Sequence, residues 1–172
     1  TVEKRNEPIT GRGIIADDEY GETLGLELVE GRFFSKDFAS DSLAVVLNEK
    51  AASELGLVDP IGKRLITPDG FLNAQDGTSY TYEVIGIVKD FHYQSLHEPI
   101  TPLVFTNASR FNNVMGLTAV HVDGSSIDNV LTGIESTWKK FVDDKPLTYQ
   151  FLDQTIENQY QVERTSRKVF TF

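Results

Sequence analysis

Three histidines and their acidic neighbours are the first residues whose types and spacing could do chemistry. Asp90-x-His92 and His97-Glu98 stand close enough in sequence to converge on one metal ion, with His121 as a further donor. The spacing argues against it. Two imidazoles fixed on one ion from a helix need i, i+4 spacing, and these residues fall in an irregular segment. The ordinary expectation is that they bond loop backbone, and no metal site is expected. Residues 56–64 (GLVDPIGKR) come near a phosphate-cradling loop. They carry one residue too many between the glycines, Pro60 offers no N–H, and Arg64 stands where a magnesium-binding hydroxyl belongs. A structural turn is expected there instead, type I, with Asp59 first, Pro60 second and Gly62 fourth. No G-x-S-x-G elbow presents a serine nucleophile. A paired-carboxylate glycosidase stays open, because the separation of two carboxylates is invisible in a sequence. Cysteine is absent, which excludes a thiol nucleophile, a disulfide framework and a cysteine-based zinc site. Catalytic, metal and cofactor-binding residues are therefore all expected to be none. Asn107-Ala108-Ser109 matches the glycosylation acceptor, but three-residue patterns arise by chance and it carries no weight.

The 172 residues, 40% hydrophobic and 24% charged, suit one folded domain or two small subdomains sharing a core. No run approaches the roughly 20 apolar residues of a membrane-spanning helix. A net charge of −10 argues against a nucleic-acid binder. Residues 1–150 hold 13 basic and 23 acidic side chains, which is the whole excess, while 151–172 balance at three against three. The three bases there, Arg164, Arg167 and Lys168, gather at the end and are followed by VFTF. A solvated helix end and an approach to a lipid headgroup layer both fit that cluster. The chain begins at Thr1 with neither Met nor a signal-peptide pattern, and reads as an excised fragment.

The elements that would position these residues are mixed. ITGRGIIA (9–16) reads as a strand entry, followed by a short helix to Leu24 capped by Asp17 or Asp18 and stopped at Gly25. LELVEGRFF is extended, with Leu26, Leu28 and Phe33 turned inward. LAVVL (43–47) is a buried strand, and Asn48 caps a helix from Glu49 to Leu55 closed by Gly56. KRLIT starts a strand and 67–79 form a loop or hairpin tip. YTYEVIGIV (80–88) is the strongest strand, ITPLVF is extended, and GLTAVHVD (116–123) is another strand. Residues 126–142 form the clearest helix, capped by Ser125 or Ser126, with Trp138 anchoring its apolar face. Trp138→Ala is expected to cost ~3–5 kcal/mol on that reading. PLTYQFL is a strand, and 153–170 a charged helix with a thin apolar stripe. The class is α+β. The strand–helix–strand of 116–151 is expected to pair with that near 9–32, leaving 37–115 as an inserted β-rich subdomain.

Three ordered blocks together carry a family resemblance. YGETLGLELVEGRFF (20–34), AVVLNEKAASELGLVDPIGKRL (44–65) and YEVIGIVKDFHYQSLHEPITPLVF (82–105) resemble the MacB-like periplasmic core domain of FtsX-like ABC-transporter permeases, in its Bacteroidetes form. The ending FLDQTIENQYQVERTSRKVFTF is similar to the stalk helix that leads into a membrane helix. The likeness runs from about residue 14 to 172. It implies a porter-like two-layer subdomain, 1–36 and 116–152, interrupted by a smaller β-rich insertion at 37–115. A stalk helix at 153–172 follows, with Arg164, Arg167, Lys168, Phe170 and Phe172 near the membrane. The family opens with an earlier strand and helix, so Thr1 lies inside its pattern. The resemblance also implies a domain on the periplasmic side of the cell inner membrane that moves and does no bond chemistry. It implies a cytoplasmic ABC ATPase, a second permease copy, and an adaptor or outer-membrane component as partners. No cofactor and no nucleic acid belong to it. The alternative is a small-ligand or peptide-binding sensor domain, whose candidate lining is the aromatic-rich segment 91–105.

Overall fold

The structure is a computed structural model that describes residues 10–66, 80–93, 98–110, 116–122, 124–142 and 144–152. It is a mixed α+β protein. The elements are β1 (Arg12–Ala16), α1 (Tyr20–Thr23), β2 (Leu28–Gly31), β3 (Ala44–Asn48), α2 (Glu49–Glu54), β4 (Arg64–Ile66), β5 (Thr81–Val88), β6 (Leu103–Asn107) and α3 (Ile127–Phe141). Six strands form one sheet in the order β1-β6-β3-β5-β2, with β4 also on β5. β1 runs parallel to β6 and β3 parallel to β5, while β3 is antiparallel to β6, and β2 and β4 are antiparallel to β5.

β3 sits in the middle because its sequence allows it. All five residues of AVVLN are buried, as a strand flanked on both edges and covered on both faces must be. Its alternation divides the core. Ala44 and Val46 pack with Phe34, Val88, Leu103 and Phe105, while Val45 and Leu47 pack with Ala51, Ala52, Tyr82, Val84 and Ile87. β5 serves both clusters through a bulge. Val45 pairs Val84 but Val46 pairs Gly86, so Ile85 is the extra residue. The phase of β5 reverses there, which returns Ile87 to the face of Tyr82 and Val84.

The sheet crosses the expected division at residue 36. β1 and β2 come from 1–36, yet they pair with β6 and β5 of the 37–115 block, at opposite ends of the strand order. Alternation marks a segment as a strand without naming its partner. Two compact units divide the chain: Thr1–Tyr93 with Pro99–Val120, and Gln94–Glu98 with His121–Phe172. Of the strands expected at 116–123 and 146–152, residues 116–122 and 146–151 have no regular structure, and Leu117 and Val120 are exposed. A strand exists only through its ladder, and the described residues offer these segments none. Leu26 and Phe33 do pack against the core, but Leu28 is exposed on edge strand β2. The 67–79 loop and the 153–172 helix lie outside the described residues.

In the second unit, α3 spans the expected helix. Asp128 lies in its first turn and Lys139 and Lys140 in its last, which suits the helix dipole. Of the two expected caps, Ser126 holds the N-cap position, without a side-chain bond. No residue of α3 is buried. Trp138 is half-buried, and its indole N–H donates to the Lys145 carbonyl at 2.7 Å. The expected core anchor is thus a side chain tying down the helix exit, and the anticipated loss shrinks. Trp138→Phe keeps the ring and removes the donor. It should cost about 1 kcal/mol in urea-induced unfolding, and Trp138→Ala about 2 kcal/mol.

Candidate functional site

The three sequence blocks meet in the first unit, where their polar residues brace the sheet. The first brace is Arg32 on Asp41. Arg32 Nη1 and Nη2 donate to Asp41 Oδ2 and Oδ1, both at 2.7 Å, a bidentate pair. The Ser35 N–H adds a bond to Oδ2 at 2.9 Å, and Nη1 also reaches the Phe33 carbonyl at 3.1 Å. The guanidinium lies 4.1 Å from the Phe38 ring centroid. This brace folds the loop between β2 and β3 back on itself. Neither residue stood out in the sequence; the signal was an arginine after a strand glycine with an aspartate nine residues on.

Burial pushes the Asp41 carboxyl upward, but the Arg32 bond, the Ser35 N–H and the Arg32 charge outweigh it, so its pKa is lowered. The folded state therefore binds this proton less readily than the unfolded chain. Its stabilisation is fully present above the unfolded value near pH 4 and is lost as pH falls through the folded value. Asp41→Asn should cost about 2 kcal/mol at pH 7, a figure kept modest because the Arg32 side chain is 37% exposed. The gap from the parent chain should narrow by pH 3. Equal gaps in urea midpoints at the two pH values would show that the ion pair contributes nothing.

The second brace is backbone on backbone. The Arg32 N–H donates to the Ile85 carbonyl at 2.9 Å, and the neighbouring glycines make room. A Cβ on Gly86 would lie 2.1 Å from the Arg32 carbonyl oxygen, and one on Gly31 would lie 2.2 Å from the Ile85 carbonyl oxygen. Gly31 also has φ +74°, which other residues rarely adopt.

The third brace starts from Asn48, which caps α2 as expected. Its Oδ1 accepts the Ala51 N–H at 3.0 Å and also the Leu103 N–H at 2.8 Å, while Nδ2 donates to the Thr101 carbonyl at 3.0 Å. Next to it, the Lys50 N–H donates to Asp90 Oδ1 at 2.9 Å and the Asp90 N–H donates to Glu49 Oε2 at 3.0 Å. Lys89 pins the preceding residue through Glu27, at 2.8 Å between side chains and 2.8 Å from its N–H to the Glu27 carbonyl.

These bonds decide what the site can do. Asp90, one of the candidate metal ligands, is committed to α2. His92 and His121 are exposed, and His97 lies outside the described residues. Among the described residues no group of three or more His, Asp or Glu gathers as a metal would require, and no buried side-chain polar atom lacks a partner. The turn at 56–64 offers no anion cradle either. The Gly62 N–H donates to the Val84 carbonyl at 2.7 Å and the Lys63 N–H to Pro60 at 3.1 Å. The turn is therefore 60–63, one residue later than expected. It fits type II, with Gly62 third at φ +78°, and Asp59 adopts φ +51° before it. Part of the proposed ligand-lining segment is core: Phe91 stacks on Phe105 at 6.4 Å, and Leu103 and Phe105 are fully buried, while His92, Tyr93 and Thr101 are exposed and 94–97 lie outside the described residues. Asn107 is 8% exposed and its Oδ1 accepts the Ser109 N–H, so its amide is not presented for a glycan. Arg110 lies 3.7 Å from the Tyr80 ring centroid and donates to the Tyr82 hydroxyl, a second stacked charge held against the sheet. Arg164, Arg167, Lys168, Phe170 and Phe172 lie outside the described residues. Among the described residues, no helix is long and apolar enough to cross a membrane.

The braces hold the three blocks in register, and a family model that contains all three matches the sequence over residues 1–137: the MacB-like periplasmic core domain. The chain belongs to that family. Two solved structures share the fold, and a third is similar to a smaller degree. The periplasmic region of MacB from Actinobacillus actinomycetemcomitans is 22% identical, with a TM-score of 0.50 over 83% of this chain and 63% of that one. The extracellular domain of the noncanonic ABC-type transporter YknZ from Gram-positive bacteria is 16% identical, with a TM-score of 0.51 over 78% of this chain and 66% of that one. A domain of a putative permease protein from Porphyromonas gingivalis is 18% identical, with a TM-score of 0.46 over 84% and 70%. This MacB-like chain thus spans just under two thirds of the MacB and YknZ domains. No curated protein matches the sequence.

Proposed function

We propose that this MacB-like domain is the periplasmic part of an ABC-transporter permease of the cell inner membrane. It transmits ATP-driven conformational change across that membrane for export or envelope work. The family match over residues 1–137 carries the reading. The braces agree with it, since Arg32, Asp41, Glu49 and Asp90 are spent on holding segments of the sheet together. The domain performs no bond chemistry and holds no cofactor. ATP is hydrolysed by a separate cytoplasmic ATPase, two permease copies act together, and an adaptor or outer-membrane component docks from outside. Residues 153–172 form the stalk, with Arg164, Arg167 and Lys168 at the headgroup layer and Phe170 and Phe172 beyond them. Residues 1–36 and 116–152 contribute to the porter-like part of the whole domain.

The chain has no cysteine, so one introduced thiol reports its location cleanly. Val58→Cys, at a 74% exposed site, is placed in the whole parent protein cleared of other cysteines. A membrane-impermeant maleimide should label it in intact cells with a permeabilised outer membrane, and the parent should co-purify with a P-loop ATPase. A thiol reached only after lysis of the inner membrane would overturn the reading.

A further inference from the structure

The chain leaves the first unit after Tyr93 and re-enters it at Pro99. The two roots of that excursion are gripped by three consecutive residues. The outgoing root is held at Asp90 by Glu49 and Lys50, and the returning root at Thr101 and Leu103 by Asn48. We propose that residues 48–50 form a single anchor that couples the two roots, so that displacement of one is felt at the other and in the sheet. The inference rests on the transmitting role proposed above and names residues that would carry a displacement through the first unit.

Three observations carry it. Asn48 is the last residue of β3, the fully buried central strand, so the anchor continues directly into the middle of the sheet. A single oxygen, Asn48 Oδ1, accepts from α2 and from the returning root at once, so neither can shift without disturbing the other. The two halves of the outgoing grip are reciprocal: the side chain of each partner accepts from the backbone of the other segment. Backbone hydrogen bonds thus cross between segments about forty residues apart with no loop of their own to hold them.

The test is native-state hydrogen exchange on the chain. Asp90→Ala removes a bond on the outgoing root only. With one shared anchor, it should speed exchange of the Leu103 amide, on the returning root, about tenfold relative to the Phe105 amide in β6. Asp90→Asn keeps an acceptor for the Lys50 N–H and should restore most of the protection. Leu65→Ala, on edge strand β4, lowers stability away from the anchor and should leave the Leu103-to-Phe105 ratio unchanged. A Leu103 amide that keeps its relative protection in Asp90→Ala would overturn the shared anchor. That result is independent of the thiol-labelling experiment, so failure of the anchor and failure of the transporter reading are told apart.

Discussion

Gly86→Ala is expected to detach β2 from β5 and to cost about 4 kcal/mol of folding stability. The added Cβ would lie 2.1 Å from the Arg32 carbonyl oxygen and 3.0 Å from its carbon, both backbone atoms. Backbone yields only if a strand moves. Arg32 is held on one side by its N–H bond to Ile85 and on the other by its two bonds to Asp41. Relief therefore means losing the β2 ladder, the Arg32–Asp41 pair, or both. Overpacking a core ordinarily costs about 1–3 kcal/mol because side chains can re-rotamer, and here nothing flexible is in the way. Gly31→Ala meets the same wall from the opposite strand, with a positive φ added. The double variant should lose less than the sum, since both changes break one contact. Gly13→Ala, where a Cβ meets nothing within 4 Å, is the control and should change stability by under about 0.5 kcal/mol. Urea unfolding followed by circular dichroism reads all four. A Gly86→Ala midpoint equal to that of Gly13→Ala would place β2 away from β5.

That contact also shows where a sequence stops being informative. The run AVVLN, the Asn48 cap and the aromatic, β-branched run of β5 are local signals, and each element formed where its own residues asked for it. Glycine within β5 is compatible with a bulge or a close approach, but does not say which backbone approaches. Partner choice is a long-range matter. β1 and β2 share a strand–helix–strand pattern, yet end on opposite sides of the sheet, because pairing is decided by what else each strand can bury. Asp59-Pro60-Ile61-Gly62 satisfied one turn type from Asp59 and another from Pro60. The bond from the Gly62 N–H to Val84, twenty-two residues away, selected the second. The spacing of α3 identified its apolar face correctly and said nothing of what covers it, which is why Trp138 was overvalued. The braces were the least legible part. Asp90 to Lys50 spans forty residues and Arg32 to Asp41 nine, and neither pair has a spacing that local chemistry would single out. The family resemblance did reach Arg32, Asn48, Lys50 and Asp90, which lie in its blocks, but not Asp41, which lies between two of them.

The same logic gives Asn48→Ala the second large effect, a loss of about 3 kcal/mol. Three bonds go at once. Loss of the α2 cap costs about 1 kcal/mol in typical helices. The Leu103 N–H is then left buried without its acceptor, which costs about 1–3 kcal/mol more. The Thr101 carbonyl also loses its donor, though Thr101 is exposed and water can replace it. In a chain of this size such a loss lowers the melting temperature by about 6–12 °C. Two further variants separate the contributions. Asn48→Asp keeps the acceptor oxygen for Ala51 and Leu103 and sits favourably at a helix N-terminus, but forfeits the donor and buries a carboxylate against the Thr101 carbonyl. Asn48→Ser retains a cap but is too short to serve Leu103 as well. Stability should fall in the order Asn, Asp, Ser, Ala. Serine matching alanine would assign the loss to Leu103, and serine matching asparagine would assign it to the cap. An alanine variant within about 1 kcal/mol of the parent would mean that β6 enters the sheet without help from Asn48.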